Sequence, residues 1–379
     1  MFKINDNSNF SKGLDEEKKL DRADIHSFHR YYGKLIPAIP GYFIKEFTKE
    51  NDIVFDPFSG SGTVAVEAKR LNRNFAGVEI NPLSVQIART KTYNLDVGIL
   101  DKINNELLDM IEKDKTKVKE GEKPYIMNRD HWFKNFVQDD LIRIKRDIDK
   151  YFDKNKEYSI EYKKFYLLTL SAIIKNVSNA DTRHVFPGFS KRMHQLEEEG
   201  KIHTDVKASF KRAVKSRAKA YSIYENNKNY TDILEGDSTE IDLSKYRNKI
   251  DLIVTNPPYK KLNTGKINEK DKKIISRHEV TATLTDFINI SYKMLKDKGT
   301  LYMVHRPDRL VDIIYEMRHN KIEPKEIKLV YPYENKEPNL VLIKAIKNGG
   351  QFLKIDKPLY IYREDGKYTE EILKIYNKN

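Results

Sequence analysis

Short apolar runs alternate with helix-period segments along most of this chain, which predicts an α/β fold. Ile53-Val54-Phe55 and Leu252-Ile253-Val254 are apolar at consecutive positions, as is typical of parallel strands buried on both faces. The first half is predicted to contain a helix around 38–49, a strand at 52–56, a helix near 62–71, a strand near 75–79 and a helix from Asn81-Pro82.

The strand pattern stops between 98 and 230, where Lys-rich, helix-period sequence takes its place. We predict a mainly helical insertion there, a catalytic domain made of 26–97 and 231–379, and a flexible N-terminus at 1–25. Strands are predicted again at 231–237, 251–255, 300–305, 327–331 and 339–345, with a helix near 282–296, and the last two strands are close enough in sequence to pair antiparallel.

Composition adds an anionic partner to this picture. The 379 residues include 70 Lys and Arg against 57 Asp and Glu, a net charge of +13, which favours nucleic acid through electrostatic steering. The basic stretch at 178–219 is a candidate phosphate-contact surface and equally a solvated helix face. Arg306 has the same two interpretations, because an exposed Arg often pairs with a surface carboxylate. The candidate nucleic-acid contacts are Arg183, Lys211, Arg212 and Arg306.

The chain contains no cysteine, which excludes disulfides and thiolate-held metal clusters. No metal-ligand pattern is found among the 9 histidines, so no metal is expected. The absence of a membrane-length apolar run and of a signal-peptide core predicts a soluble, cytoplasmic protein without a membrane partner.

The loop after the first strand is a candidate cofactor site. Glycines between a strand and a helix let the backbone approach a ligand closely, and the helix N-terminus directs amide groups toward it. Glu79, at the end of the next strand, could accept both ribose hydroxyls of an adenosine-containing cofactor, and Asp237 its adenine amino group or an N-cap bond. The predicted contacts in these three segments are Asp56, Phe58, Gly60, Gly62, Thr63, Glu79 and Asp237.

Asn256-Pro257-Pro258-Tyr259 follows the fourth predicted strand and carries the catalytic prediction. The Asn256 amide oxygen and the Pro257 carbonyl could hold an exocyclic amino group so that its lone pair faces an electrophilic methyl. Tyr259 could stack on the base once that base leaves its helix. This reaction needs no cysteine nucleophile, whereas methylation at carbon 5 of a pyrimidine usually does.

These two motifs resemble those of class I S-adenosylmethionine-dependent amino-methyltransferases. From about 26 to 259 the chain is similar to site-specific DNA adenine-N6 and cytosine-N4 methyltransferases. That resemblance implies S-adenosyl-L-methionine as cofactor and duplex DNA with base flipping as substrate. It also makes the helical insertion at 98–230 a candidate target-recognition region, because some of these enzymes carry target recognition at that place. It adds Lys34 and Pro37, in the segment from His29 to Pro37, to the cofactor contacts, and makes a restriction endonuclease a candidate partner.

From about 250 to the end the chain resembles bacterial valine-tRNA adenine-N6 methyltransferases. The matching segments include Arg277-His278-Glu279, Val304 to Leu310 and Tyr331-Pro332. The chain therefore reads as a mosaic joined near the fourth strand.

Together the resemblances imply a Rossmann-like class I methyltransferase, with a seven-stranded, mostly parallel sheet whose last strand is antiparallel, plus the helical insertion. The expected activity is methylation of adenine N6 in nucleic acid, with DNA placed slightly ahead of tRNA and cytosine N4 as the second product. A binding protein without turnover and a methyltransferase acting on small molecules or protein glutamine remain alternatives.

Overall fold

The computed structural model describes residues 25–31, 35–181, 188–190, 195, 199–200, 203–224, 227–257 and 283–376. The chain forms two compact units. The described residues of the sheet unit lie within Lys34–Thr92 and Asn226–Asn379, and those of the helical unit lie within Ala23–Gly33 and Tyr93–Glu225. Apart from Ile25, the N-terminal segment predicted to be flexible lies outside the described residues.

One sheet contains nine strands within these ranges, in the order β3-β2-β1-β4-β5-β7-β6-β8, and β9 also pairs with β6. β1 to β5 run parallel, and β7 is antiparallel to both β5 and β6. This arrangement confirms the predicted α/β class with an antiparallel seventh strand. The strands are β1 Ile53–Asp56, β2 Asn74–Glu79, β3 Thr231–Glu235, β4 Ile250–Thr255, β5 Leu295–His305, β6 Ile322–Tyr331, β7 Leu340–Lys347, β8 Lys354–Ile355 and β9 Leu359–Tyr360.

Helices cover both faces of the sheet and build the helical unit. In chain order they are α1 Ala38–Phe47, α2 Thr63–Arg70, α3 Pro82–Lys91, α4 Val97–Lys113, α5 Arg129–Trp132, α6 Asn135–Lys154, α7 Ile160–Val177, α8 Val206–Lys219, α9 Leu284–Met294, α10 Leu310–His319 and α11 Glu370–Tyr376. Short 3-10 turns occupy Ile25–Ser27, Glu120–Glu122, Ala220–Tyr224, Ser244–Tyr246 and Pro307–Arg309. Across the described ranges, no helix combines the length and the apolar character that crossing a bilayer requires.

Two apolar clusters, one on each sheet face, hold the sheet unit together. Val54 and Phe55 are adjacent in β1, yet they pack into different clusters, because successive strand residues point to opposite faces. Phe55 packs with residues of α9 and α10, whereas Val54 packs with residues of α1, α2 and α3. Both side chains are fully buried, and each contributes roughly 1.5 to 3 kcal/mol of stabilisation. This two-sided burial explains why β1 and β4 lack an alternating polar pattern.

Two strands begin earlier than the sequence predicts, and two short strands were not predicted. β5 begins at Leu295, where the sequence predicts the end of a helix, and β6 begins at Ile322, although Pro324 lies within it. A register shift between Pro324 and Glu326 lets β6 continue past a residue that has no N–H to donate. β8 and β9 are additional two-residue strands that pair with the outer edge of β6.

The helical unit packs around aromatic side chains of α7. Phe28 lies 5.6 Å from Phe165 and 6.5 Å from Tyr221, measured between ring centroids. Arg217 Nε donates to the Phe28 carbonyl at 2.7 Å, which attaches the segment before the sheet to α8. Residues 25–31 therefore pack within the helical unit, whereas the sequence analysis assigned residues from 26 onward to the catalytic domain.

Candidate active site

The loop between β1 and α2 is a tight turn held against β2. Ser59 donates its backbone N–H to the Val78 carbonyl at 2.9 Å, and Gly62 caps α2 with φ of +77°. A Cβ on Gly77 would lie 2.1 Å from the Ser59 hydroxyl oxygen. Gly77 therefore permits the close approach of β2 to this loop, and Gly62 supplies a backbone conformation that favours glycine.

Glu79 joins the carboxyl ends of three strands. One carboxylate oxygen accepts the Gly60 N–H at 2.8 Å, and the other accepts the Asn81 N–H at 2.8 Å. The Glu79 carbonyl accepts the Gly236 N–H at 3.0 Å. Burial raises the pKa of the Glu79 carboxyl, although the backbone donors oppose this. The structure thus brings the glycine loop, Glu79 and the start of the turn after β3 to one edge of the sheet.

Asp56 is a buried carboxylate at the centre of this edge. It accepts the Phe58 N–H at 3.0 Å, and the Thr255 hydroxyl lies beside it. Burial raises the pKa of Asp56 to about 7, the Phe58 N–H and Thr255 hydroxyl oppose this rise, and the charge of Glu79 adds to it. Asp56 therefore faces both the predicted cofactor loop and the end of the strand that leads to Asn256.

Asn256 and Pro257 directly follow β4, which is the neighbour of β1 in the sheet. Asn256 is half-buried and Pro257 is buried. Because β1 and β4 are parallel, their carboxyl ends place these residues at the same edge as Asp56 and the glycine loop. Pro258 and Tyr259, the other two predicted catalytic residues, lie outside the described residues.

The remaining cofactor predictions have different surroundings. Thr63 is buried as the first residue of α2, and the half-buried ring of Phe58 packs 5.7 Å from that of Phe287. Pro37 is half-buried immediately before α1, and Lys34 lies outside the described residues. One carboxylate oxygen of Asp237 accepts the Thr239 N–H at 2.8 Å and its hydroxyl at 2.7 Å, so this oxygen serves a local turn.

The predicted nucleic-acid contacts lie in separate segments of the chain. Arg306 follows β5, and its exposed side chain pairs with Asp308 at 3.3 Å. Lys211 and Arg212 are exposed on α8 in the helical unit, where Arg212 donates to the Ser209 hydroxyl at 3.1 Å. Arg183 lies outside the described residues, as does the segment Arg277-His278-Glu279.

Two family models match the chain. One is described as DNA methylase and matches residues 10–90, and the other is described as Eco57I restriction-modification methylase and matches residues 73–337. The second match covers more than half of the chain. This protein belongs to the Eco57I restriction-modification methylase family. The same match continues across residue 250, where the sequence analysis placed the junction between two family resemblances. One family model therefore covers both sides of that junction.

Curated relatives of the methylase are type II methyltransferases. It is 34% identical over 142 residues to the type II methyltransferase M.MjaII of Methanocaldococcus jannaschii, a match that covers 37% of this chain and 23% of the relative. It is 29% identical over 185 residues to M.MvaI of Kocuria varians, covering 47% of this chain and 39% of the relative. The chain thus spans about a quarter to two-fifths of the length of these relatives.

Solved structures similar to the methylase include a predicted O-methyltransferase from Agrobacterium tumefaciens, with a TM-score of 0.42, 12% identity and coverage of 90% of this chain and 96% of that chain. Another is the rRNA methyltransferase aviRa from Streptomyces viridochromogenes, with a TM-score of 0.39, 10% identity and coverage of 88% and 93%.

The cofactor of this methylase family is S-adenosyl-L-methionine, and the sheet edge has groups that fit it. The Ser61 hydroxyl is buried in the glycine loop without a hydrogen-bond partner among the described residues. Ile80, 55% exposed directly after Glu79, offers an apolar surface suited to an adenine ring. The carboxylates of Asp56 and Glu79 match the hydroxyl donors and positive charge of the cofactor.

Sequence reasoning missed three residues of this edge, namely Ser61, Ile80 and Thr255. Ser61 lies between the two glycines of the loop, and its position there was the available signal. Ile80 and Thr255 are apolar or neutral residues beside a motif, so only their exposure or contacts identify them. For residues in the described ranges, no group of three His, Asp or Glu side chains is arranged to hold a metal ion.

Proposed function

We propose that this chain transfers a methyl group from S-adenosyl-L-methionine to an exocyclic amino group of duplex DNA, with adenine N6 as the acceptor. The observation that carries the proposal is the meeting of two segments at one sheet edge: the Gly60–Glu79 hydrogen bond after β1 and β2, and Asn256-Pro257 after the adjacent β4. Family membership and the type II methyltransferase relatives support the reaction class.

The residues after β1 and β2 would bind the cofactor. Glu79 fixes the loop through Gly60 and keeps lone pairs that can accept ribose hydroxyls. The Ser61 hydroxyl and the start of α2 would supply polar contacts, and Ile80 would cover one face of the adenine. When bound, the cofactor supplies an electrophilic methyl group on a sulfonium cation. We propose the same binding role for Pro37, and for Lys34 outside the described residues.

Asn256 and Pro257 would hold the acceptor. The Asn256 side-chain oxygen and the Pro257 carbonyl accept the two hydrogens of the amino group, which favours a tetrahedral nitrogen with its lone pair directed at the methyl. The amine loses its proton after the new N–C bond forms, so the chain needs no general base before attack. Cytosine N4 is a chemically close alternative, and Asn at position 256, where Ser is common in cytosine-N4 enzymes, favours adenine by resemblance.

DNA is the proposed substrate for two reasons. One matched family model is described as DNA methylase and the other as Eco57I restriction-modification methylase. Neither model supports the tRNA alternative. The exposed basic residues Lys211 and Arg212 lie on α8, which contains six basic residues and no acidic one. We propose that these residues and Arg306 contact phosphates. A restriction endonuclease partner and a cytoplasmic location belong to the same proposal.

The test is transfer of labelled methyl from S-adenosylmethionine to unmodified duplex DNA, with total unmodified tRNA in parallel, followed by nucleoside mass spectrometry. N6-methyladenine in DNA is the expected product. N4-methylcytosine would correct the acceptor base, and a product confined to tRNA would overturn the DNA substrate.

Asn256→Ala should lower turnover roughly 100-fold or more, because the amino group loses a preorganised acceptor. Cofactor and DNA binding should be retained. Asn105→Ala, which changes an exposed Asn on α4, is the matched control and should keep full activity. Equal turnover in the two variants would remove Asn256 from the mechanism.

A further inference from the structure

Three consecutive large apolar side chains face solvent in the helical unit. Tyr125 is 92% exposed, Ile126 42% and Met127 73%, in the loop between the Glu120–Glu122 turn and α5. Isolated exposed apolar residues are ordinary, but a contiguous patch of them marks an interaction site. We call residues 125–128 the apolar loop.

The apolar loop borders a cavity of about 810 Å³. The residues that line it include two with rings, Tyr125 and His131, and one with an amide, Asn128. An aromatic surface combined with convergent donors and acceptors is the chemistry that recognises a planar, hydrogen-bonding ligand.

The base of the loop is held firmly although its tip is exposed. Arg129 forms an ion pair with Glu120, and Gln138 donates to Asp130 at 2.9 Å. The carbonyls of His131 and Trp132 each accept a hydrogen bond from Asn179, both at 2.9 Å. These bonds fix the cavity wall, so a ligand would meet a preorganised surface.

Asn128 is the residue best placed to read such a ligand. It precedes α5 with φ of +54°, a left-handed conformation, and its side chain makes no capping hydrogen bond. Its side chain is exposed and lines the cavity, so the amide N–H groups and oxygen are available for a ligand there. An Asn amide in this state can form two hydrogen bonds to the N6 and N7 atoms of an adenine edge.

We propose that the apolar loop is a base-reading element, in which Asn128 hydrogen-bonds a base edge of duplex DNA while Tyr125 and Met127 contact the bases beside it. This inference rests on DNA as the proposed substrate. Exposed apolar side chains that enter DNA contact or separate base steps, and an Asn amide pairs with an adenine edge. The unit that carries the loop also carries α8, whose charge is entirely basic and suits the phosphates.

The test selects bound duplexes from a random library with the full-length protein and sequences them, without any methyl transfer. Asn128→Ala should relax the preference at one base pair by roughly tenfold, and Tyr125→Ala should weaken binding to the preferred sequence. Neither should change the dependence of affinity on salt. Asn105→Ala and Ile160→Ala, exposed changes in the same unit, are the matched controls and should leave the preference intact.

Substitutions at the phosphate-binding residues should have the opposite effect. Lys211→Ala with Arg212→Ala should reduce the slope of log affinity against log salt by roughly 0.9 for each phosphate that is no longer neutralised, with an unchanged base preference. Trp132, the single tryptophan of the chain, lies 4.8 Å from the His131 ring and reports binding at the cavity. Its fluorescence should change when the preferred duplex is added to the wild type, and should change less in Tyr125→Ala.

The proposal is overturned if the wild type binds DNA without base preference, or if Asn128→Ala keeps the wild-type preference as the controls do. Asn128→Gln, which keeps the amide on a longer stem, should shift the preference while folding normally. If the wild type selects a preferred duplex but transfers no methyl group to DNA, the proposed function is refuted and base reading is still supported. Capture of a protein partner in place of DNA would count against it.

Discussion

Asp56 is a buried acid whose replacement should stabilise the fold while it weakens the site. Its side chain is 4% exposed, and its pKa is raised from 3.8 to about 7, chiefly by burial. Asp56→Asn keeps the size of the side chain and an oxygen that can accept the Phe58 N–H. The substitution removes only the ability to carry a negative charge at this place.

The magnitude follows from linkage between protonation and folding. The unfolded chain loses this proton near pH 3.8 and the folded chain near pH 7, so between these values the folded state binds more protons. Stability therefore falls as the pH rises from about 4 to about 7 and is constant above that range with respect to this group. The full difference corresponds to roughly 4 kcal/mol, so Asp56→Asn should be more stable than the wild type by up to about that amount at pH 8 and nearly equal to it at pH 4.

The assay is urea unfolding at pH 4, 6 and 8, with cofactor binding measured in parallel. Asp147→Asn is the matched variant, because Asp147 is also buried and burial raises its pKa to about 6, but it lies on α6 in the helical unit. It should gain roughly 3 kcal/mol at pH 8 and keep normal cofactor affinity. Asp365→Asn, a partly exposed change, should be within about 0.5 kcal/mol of the wild type.

Cofactor binding should separate the two buried acids. S-adenosylmethionine carries a sulfonium and an ammonium cation, so it favours the ionised form of a nearby carboxyl. Wild-type affinity should therefore rise as the pH passes through about 7, and Asp56→Asn should bind more weakly at pH 8 and lose this dependence. If Asp56→Asn were no more stable than the wild type at pH 8, or if its affinity kept the wild-type pH profile, the reasoning on Asp56 would be refuted.

Two further predictions concern packing around the sheet. Gly77→Ala places a Cβ 2.1 Å from the Ser59 hydroxyl oxygen, so it should cost about 1 to 3 kcal/mol in urea unfolding and weaken cofactor binding, with partial recovery on adding Ser59→Ala; an unchanged affinity in the single variant would argue against the close approach. Lys347→Met removes the buried ammonium that donates to Asn248 at 2.8 Å and to two backbone carbonyls at 2.7 Å, so it should cost about 2 to 3 kcal/mol, whereas exposed Lys354→Met should cost little; equal losses would contradict this account.

The sequence was sufficient for the strands whose own side chains determine their burial. Val54-Phe55 and Leu252-Ile253-Val254 are buried on both faces, and their apolar runs show this directly. β8 and β9 have two residues each, too few for any periodicity to appear. The sequence did not predict the start of β5, because the segment from Lys296 to Gly299 is typical of a turn. Lys298 indeed has φ of +61° within the strand. The predicted β6 was too short, because a proline such as Pro324 usually interrupts a strand.

For the site, the sequence predicted groups that strand topology brings together. Asp56, Glu79 and Asn256 each lie at or just beyond the end of a predicted parallel strand, and parallel strands end at one edge. The hydroxyl of Thr255 beside Asp56 could not be predicted, since it depends on the side-chain orientation of β4. The sequence also does not show which apolar side chains of the insertion are exposed to solvent. The apolar loop could therefore not be predicted from the Lys-rich pattern.

The sheet edge combines two features that oppose each other in the free protein. Asp56 is buried and Glu79 is half-buried, and the charge of Glu79 raises the pKa of Asp56, so each ionised carboxylate destabilises the other. A ligand with positive charge and hydroxyl donors relieves both costs, because it neutralises the carboxylates and fills their hydrogen bonds. A methyl donor has a sulfonium cation before transfer and a neutral sulfur after it. The edge should therefore hold the donor more strongly than its demethylated product, and Asp56→Asn should reduce that difference in affinity.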